Sequence, residues 1–263
     1  MRKYCVLVLL LVLLSGLPQH ARAQAPARLP DSNTLGWATY SGDLQLADHW
    51  SLHTEYQLRR VKLLGRQQQH LARAGLMRQL GERLEVSAGY TFLRTSSYGR
   101  YPSVNGRPQP EHRTYQDVTL TDELVRLHLE HRLRLEQRWI GQRAGEGQGP
   151  VTDWQYQNRV RYQLLARLPL QGPTLDNREW YLNGFGEVFV GFGRNVGQNV
   201  FNQSRLSAGL GYQFGPNLQL ELNYLNQISQ HGSPEPVTGR PVFEYNRGLR
   251  LNAQLDVDLR RSR

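Results

Sequence analysis

The sequence has almost no cysteine and no long apolar run beyond its first residues. Its 263 residues contain one cysteine, Cys5, which lies in an N-terminal segment expected to be removed. The mature chain is therefore expected to have no disulfide framework, no thiol nucleophile and no cysteine-based metal site. No stretch after residue 16 approaches the roughly 20 apolar residues that a membrane-spanning helix needs, which excludes a helical membrane protein. Aromatic and branched residues recur throughout, which argues against intrinsic disorder.

Residues 1–23 have the pattern of a secretory signal peptide. A positively charged start is followed by an unbroken apolar run over 6–14 and by a small-residue cleavage pattern over 21–23. The rest of the chain is still basic, and its positive charge comes from arginine apart from Lys62. An exported protein meets no nucleic acid, so we expect the charge to serve anionic lipid headgroups or an internal salt-bridge network.

Beyond residue 23, the clearest signal is strict alternation of apolar and polar residues over long stretches. Soluble strands usually run about 5–6 residues, whereas strands that cross a membrane need about 9–11. The alternation is strong over 50–59, 84–93, 127–139, 154–168, 200–214, 218–224 and 249–259, and weaker over 34–46, 69–80, 112–124 and 179–192. Short turns and longer polar loops alternate between these segments. The pattern predicts an all-β fold, a transmembrane antiparallel up-and-down β-barrel.

The number of strands follows from parity. Eleven segments alternate, and the last of them ends on the short-turn side. A periplasmic N-terminus would then require an even number of strands. We therefore predict 10–12 strands, with 12 favoured. The expected organisation is a signal peptide over 1–23, a short N-terminal lead over 24–33 and an outer-membrane β-barrel over 34–263.

The positions of the aromatic residues favour a membrane location. All five tryptophans lie near predicted strand ends, where aromatic girdles meet the membrane interface. The predicted interface aromatics are Trp37, Trp139 and Trp154 on the long-loop side, and Trp50, Trp180, Tyr212 and Phe214 on the short-turn side. The alternative is a soluble lipocalin-like barrel with its apolar residues inside. That interior could not hold so many long aromatic and leucine side chains.

The polar face of the predicted strands is rich in arginine and glutamate. The predicted lumen charge network consists of Glu55, Glu85, Glu130, Arg132, Arg134, Glu136, Arg138, Arg159, Arg161, Glu187, Arg205 and Glu221. An unpaired charge inside a barrel costs several kcal/mol, so these side chains are expected to face one another. Three interpretations stay open: a salt-bridge plug, an anion-attracting constriction in a water-filled pore, and a site for an anionic solute.

No set of residues has the spacing of a catalytic or metal site. His131 lies outward in mid-strand without a serine beside it, and we expect it to be satisfied by a hydrogen bond to Tyr162. Histidine pairs with metal-ligand spacing and a third ligand do not occur. We therefore predict no metal, no cofactor and no enzymatic activity.

Three strand motifs resemble a known family. They match its Arg-x-Arg-x-Glu-x-Arg, Glu-x-Phe and Asn-Gln-x-Arg-Leu strands, and in this chain they occupy 132–138, 187–189 and 202–206. From about Leu35 to Leu259 the chain resembles domain of unknown function 2490, an uncharacterised family of Gram-negative outer-membrane β-barrels. The resemblance implies a barrel fold and the outer membrane, and it supplies no established activity.

Taken together, these features favour an outer-membrane barrel that acts as a narrow porin-like channel or as a structural barrel. Its expected partners are outer-membrane lipid, lipopolysaccharide and the barrel-assembly machinery. The alternative is a binding protein that grips an anionic glycan or lipid through its extracellular loops, chiefly through the arginines and tyrosines of 94–111. A lipid-modifying barrel enzyme is less favoured.

Overall fold

The computed structural model describes residues 28–197 and 199–260, and the predicted signal peptide lies outside them. Within these ranges the chain forms strands and connections, with no helix that is long and apolar enough to cross a membrane. The strands are β1 (Leu29–Asp31), β2 (Thr34–Ala47), β3 (Trp50–Val61), β4 (Arg66–Gln79), β5 (Leu84–Thr95), β6 (Gln109–Leu124), β7 (Leu127–Arg143), β8 (Val151–Pro169), β9 (Glu179–Phe192), β10 (Phe201–Gln213), β11 (Leu218–Gln230) and β12 (Val242–Asp258).

Strands β2 to β12 form one closed sheet in chain order. Each strand is antiparallel to the next from β2 to β12, as predicted for an up-and-down barrel. The sheet closes where β12 pairs with β2, and this pair is parallel, with Leu249 beside Gly36 and Asp258 beside Gln45. Strand β1 also runs parallel to β12 and pairs with residues 242–244. The fold is a closed mixed barrel with one extra strand.

The predicted number of twelve strands is confirmed, and the strand without an alternation signal is β1. Its three residues lie within the segment predicted as a lead. The barrel wall itself has eleven strands, so the first and last strands of the wall run in the same direction. The parity argument placed the start of the wall on the short-turn side. The structure differs here, because β2 begins at the opposite end.

The two ends of the barrel differ in their connections. We call the end with 62–65, 96–108, 144–150, 193–200 and 231–241 the long-loop end, and the end with 48–49, 80–83, 125–126, 170–178 and 214–217 the short-turn end. The wall strands are 12 to 19 residues long. Most of them are longer than predicted, but β9 has its predicted bounds and β10 is two residues shorter than predicted. The predicted loop over 60–69 accordingly shrinks to 62–65, where Lys62 and Leu63 turn the chain with positive φ angles.

The alternation separates an apolar outer face from a charged inner face. Leu133 and Leu135 lie on the outer surface, and Leu133 is 52% exposed. Their neighbours along β7, Arg134 and Glu136, are buried inside the barrel. The direction of the two faces is the one predicted from the sequence.

Two glycines of the wall make room for an inner tyrosine. Gly75 on β4, Gly89 on β5 and Tyr115 on β6 are partners in one register row. A Cβ atom at either glycine would overlap the phenol oxygen of Tyr115. The tyrosine ring therefore lies flat against the wall, where the guanidinium carbons of Arg134 and Arg73 lie 4.3 and 5.4 Å from its centroid. Glycine at these positions sets the place of the cations above the ring.

Candidate functional site

The barrel encloses a cavity of about 940 Å³ that residues from both ends line. Asp43 and Met77 line it near the short-turn end, and Tyr101 and Pro234 line it near the long-loop end. The structure places all twelve residues of the predicted lumen charge network on the inner face. Glu136 is hydrogen-bonded beneath the cavity surface, and the others line the cavity itself.

Glu136 is the most buried acid of the interior. It is 1% exposed, and its carboxylate accepts hydrogen bonds from Arg159 Nε and Arg161 Nη1, each at 2.8 Å. Arg159 is its register partner on β8, and Arg113 lies 4.0 Å away on β6. Three guanidinium groups thus surround one carboxylate, which compensates for the loss of its hydration.

Glu187 on β9 is a second centre of positive contacts. Arg161 donates to its Oε1 at 2.5 and 3.1 Å. Arg205 and Arg132 approach the same carboxylate to 3.4 and 3.6 Å. Because Arg161 also contacts Glu136, it joins the two acidic centres into one network across β7, β8, β9 and β10.

Strand β6 carries three charged residues of this network that the sequence analysis missed. Glu111 accepts hydrogen bonds from Arg113 at 2.6 Å and from Arg138 at 2.5 Å. Asp117 accepts a two-pronged bond from Arg134 at 2.5 and 2.6 Å. Glu111, Arg113 and Asp117 lie at odd-numbered positions and therefore share one face of β6. The other face is also polar there, since it carries His112, Thr114 and Gln116. Alternation of hydrophobicity therefore could not separate the two faces there.

Another missed residue, Arg73 on β4, pairs with Glu55 and also donates to Thr91. The acids nearer the short-turn end behave differently. Glu85 and Glu130 line the cavity but form no ion pair with any residue that the structure describes. Glu221 accepts from Tyr181 at 3.1 Å, and Arg167 is 3.8 Å away. The predicted network is therefore brought together in the middle of the barrel and not at its short-turn mouth.

Trp37 does not lie at a membrane interface, and this prediction was wrong. Its side chain is 5% exposed and points into the barrel, where its indole Nε1 donates to Gln68 at 3.2 Å. The guanidinium carbons of Arg59 and Arg205 lie 4.3 and 5.1 Å from its ring centroid. On β2 the inward row contains Leu35 and Trp37, so hydrophobicity did not indicate which face was the outer one.

The other predicted interface aromatics lie on the outer surface near the strand ends. At the short-turn end, Trp180 and Phe214 pack on either side of Tyr212 at centroid distances of 4.8 and 4.7 Å. Trp50 lies at the same end beneath Arg78. Toward the long loops, the outward tryptophans pair as Trp139–Tyr156 and Trp154–His112.

The connection over 96–108 folds over the long-loop end of the cavity. The Asp31 carboxylate accepts hydrogen bonds from the backbone N–H groups of Arg100 and Tyr101. The Tyr98 hydroxyl donates to Glu244 at 3.1 Å, and His231 lies 2.6 Å from the same carboxylate. Burial, together with the nearby Glu244 carboxylate, raises the pKa of Tyr98. The loop is thus tied to β1 and β12, with Tyr98 turned inward.

The outer surface carries pairs of a tyrosine hydroxyl and a histidine imidazole. His131 Nδ1 lies 2.8 Å from the Tyr162 hydroxyl, as predicted, although its register partner on β8 is Leu164. Tyr56–His70 and Tyr90–His112 form the same kind of pair. In the described part of the chain, no three His, Cys, Asp or Glu side chains are grouped to hold a metal ion.

Comparison with known proteins gives one match. The model of the family described as protein of unknown function DUF2490 matches residues 34–238, which is more than half of the chain. The search of curated proteins and the search of solved structures find no match. The matched region begins with β2 and includes the acidic centres Glu136 and Glu187. The chain belongs to the DUF2490 family.

Proposed function

We propose that this protein is a non-enzymatic barrel of the Gram-negative outer membrane, and that its interior is a narrow passage with a preference for small anions. The observation that carries the membrane location is the outer surface of the wall. Leu133, Leu206 and Leu251 are each more than half exposed there, within a band of apolar side chains around the barrel. A soluble protein rarely exposes a contiguous apolar surface of this size. A lipid-facing barrel requires one.

The predicted signal peptide belongs to the same proposal, because export precedes insertion into the outer membrane. Outer-membrane lipid and lipopolysaccharide would then contact the apolar band. The barrel-assembly machinery would insert the chain. The aromatic cluster of Trp180, Tyr212 and Phe214 fits one membrane interface, and Trp139 and Trp154 fit the other.

The anion preference rests on the charges that line the cavity. Cations outnumber acids in the middle of the barrel, where the inner face carries Arg59, Arg73, Arg113, Arg132, Arg134, Arg138, Arg159, Arg161, Arg205 and Arg250 against Glu55, Glu111, Asp117, Glu136 and Glu187. A ring of excess positive charge in a constriction attracts anions and repels cations. The acids nearer the short-turn end lie outside this layer; they are Asp43, Glu85, Glu130 and Glu221.

The test is conductance of the refolded protein in planar bilayers under a potassium chloride gradient. We expect a small conductance with a reversal potential that shows chloride preference. Arg132→Glu should shift the reversal potential toward potassium, since Arg132 faces the cavity and, of the acids that the structure describes, contacts only Glu187. Arg83→Glu is the matched control. Arg83 lies in a short turn and is exposed, so the reversal potential of the Arg83→Glu variant should stay at the wild-type value.

Mobility on unboiled detergent gels verifies that each variant is folded. A soluble, detergent-free monomer would contradict the membrane location. A folded barrel without conductance would contradict the passage and leave a closed structural barrel. If Arg132→Glu leaves the anion preference unchanged, the central arginines do not set the selectivity.

A further inference from the structure

Two arginines that flank the inward tryptophan, Arg59 and Arg250, form no ion pair with any acid that the structure describes. Arg59 on β3, Trp37 on β2 and Arg250 on β12 are neighbours in one register row across the parallel seam. Arg59 donates only to amide oxygens, those of Gln57 and Gln69, and it lies over the Trp37 ring. The Arg250 side chain forms no hydrogen bond or ion pair with any described residue, and its guanidinium carbon lies 5.5 Å from the Phe185 ring centroid.

Neither Arg59 nor Arg250 forms a direct ion pair with a described carboxylate, unlike the arginines around Glu136. Arg205 reaches across from β10 to the same tryptophan, and its one acidic contact is the 3.4 Å approach to Glu187. Three guanidinium groups thus lie around Trp37 and Phe185. Glu187 contacts one of them, and Glu221 lies beside them, where it accepts a hydrogen bond from Asn252 at 3.2 Å. Buried cations that lack a carboxylate are costly unless water or an anion neutralises them.

Polar atoms without partners lie beside these arginines. Thr39 Oγ1, Asn252 Oδ1 and Asn183 Nδ2 are buried and have no hydrogen-bond partner within the described part of the chain. All three residues are more than nine-tenths buried and line the cavity. Thr39 follows Trp37 by one inward position, Asn252 follows Arg250 in the same way, and the two are register partners. Buried polar groups are normally paired, so these atoms have capacity for a ligand that both donates and accepts.

We propose that this surface, formed by Trp37, Thr39, Arg59, Asn252 and Arg250, binds a small hydroxylated acid of the sugar-acid class. The carboxylate of the ligand lies against the guanidinium groups, which suit planar carboxylates. Its hydroxyl groups complete the hydrogen bonds of Thr39 and Asn252. A cavity of about 940 Å³ is large enough for such a molecule. The inference deepens the proposed passage by naming its solute, and it rests on that passage only for the route of the solute to the site.

The experiment is titration calorimetry of the refolded full chain in detergent at low ionic strength, with three probes. Glucuronate carries both the carboxylate and the hydroxyl groups, glucose carries only hydroxyl groups, and acetate carries only the carboxylate. We expect saturable binding of glucuronate and at least tenfold weaker binding of glucose and of acetate. Arg250→Gln should weaken glucuronate binding about tenfold, the scale of one charge-assisted hydrogen bond. Because Arg250 bonds to no described side chain, this variant should still fold.

Arg78→Gln is the matched control. Arg78 lies over Trp50 with 5.2 Å between the guanidinium carbon and the ring centroid, but on the outer surface. Its replacement should leave glucuronate binding at the wild-type value. Arg59→Gln gives a second variant at the site, with folding checked by the gel-mobility shift.

Equal binding of acetate or of glucose overturns the proposed ligand class. Absence of glucuronate binding would overturn it as well. If Arg250→Gln binds glucuronate as tightly as the wild type, the ligand does not bind at this surface. Conductance of the same preparation separates this inference from the proposed function. Conductance without glucuronate binding would contradict only the proposed binding site. Glucuronate binding without conductance would contradict only the proposed passage.

Discussion

At the scale of single residues, the interior is built on carboxylates that each hold several guanidinium groups. Glu136 has Arg159 and Arg161 within hydrogen-bond distance and is nearly inaccessible to solvent. Removing one member of such a group leaves the others charged, buried and without compensation. That loss is larger than the net contribution of the intact ion pair.

Glu136→Gln tests this arrangement, because glutamine keeps the shape of the side chain and removes its charge. We expect the free energy of unfolding to fall by about 3–5 kcal/mol, the range for breaking a buried ion pair by removing one partner. The measurement is urea unfolding of the refolded barrel in detergent micelles. Glu123→Gln is the control, since Glu123 lies at the end of β6 with an exposed side chain, and its change should stay within about 0.5 kcal/mol. A similarly small change for Glu136→Gln would show that the interior is hydrated enough to screen the charges.

The direction of the charged side chains was predictable from the sequence where a strand has one apolar face, but their partners were not. In the middle of β7 and β8, apolar side chains such as Leu135 and Val160 alternate with charged ones, so the inner face could be identified. Partners depend on how strands are staggered around the barrel, and on residues such as Glu111 whose strand is polar on both faces. Trp37 was misplaced for a related reason, because a single tryptophan near a strand end fits either face.

At the scale of strands, length and alternation identified every member of the wall, and the closing pair could not be predicted. A pattern of hydrophobicity indicates which face of a strand is apolar, but it does not indicate which distant strand pairs with it. The only guide to the closing pair was the parity of the strand count, and that argument assumed that the wall begins at the short-turn end. The parallel pairing of β12 with β2 follows from eleven wall strands.

Cysteine cross-linking tests the parallel seam. Ala38 and Leu251 are register partners on the outer face of β2 and β12, and neighbouring strands lie about 4.8 Å apart, within the range that a disulfide bridges. Since the chain has only Cys5, in the predicted signal peptide, the pair Ala38→Cys with Leu251→Cys should oxidise to an intramolecular disulfide. The measurement is mobility of the folded protein on non-reducing gels after mild oxidation.

The control pair combines Ala38→Cys with Leu255→Cys. Leu255 is the partner of Gly42, which places it about 13 Å along the strands from Ala38, too far for a disulfide. Efficient cross-linking of the control pair, or none of the in-register pair in a folded barrel, would contradict the observed register.

At the scale of the whole molecule, the odd wall places the beginning of β2 at the same end as the long loops. The beginning of β2, the connection β1–β2 and the loop over 96–108 meet there, where Asp31 holds the backbone of Arg100 and Tyr101. In bacterial outer-membrane barrels short turns face the periplasm and long loops face the outside. If the protein is such a barrel, its first wall strand begins at the cell surface.

Labelling of single cysteines in intact cells tests this topology. Leu64 is 78% exposed in a connection of the long-loop end, Ser32 lies exposed between β1 and β2, and Val125 is fully exposed in a short turn. We expect a bulky, membrane-impermeant maleimide to label Leu64→Cys and Ser32→Cys in intact cells, and Val125→Cys only after the outer membrane is permeabilised. Labelling of Leu64→Cys without Ser32→Cys would place the connection between β1 and β2 away from the cell surface and contradict the parallel closure. Labelling of Val125→Cys alone would invert the barrel, because the short turns would then face outward.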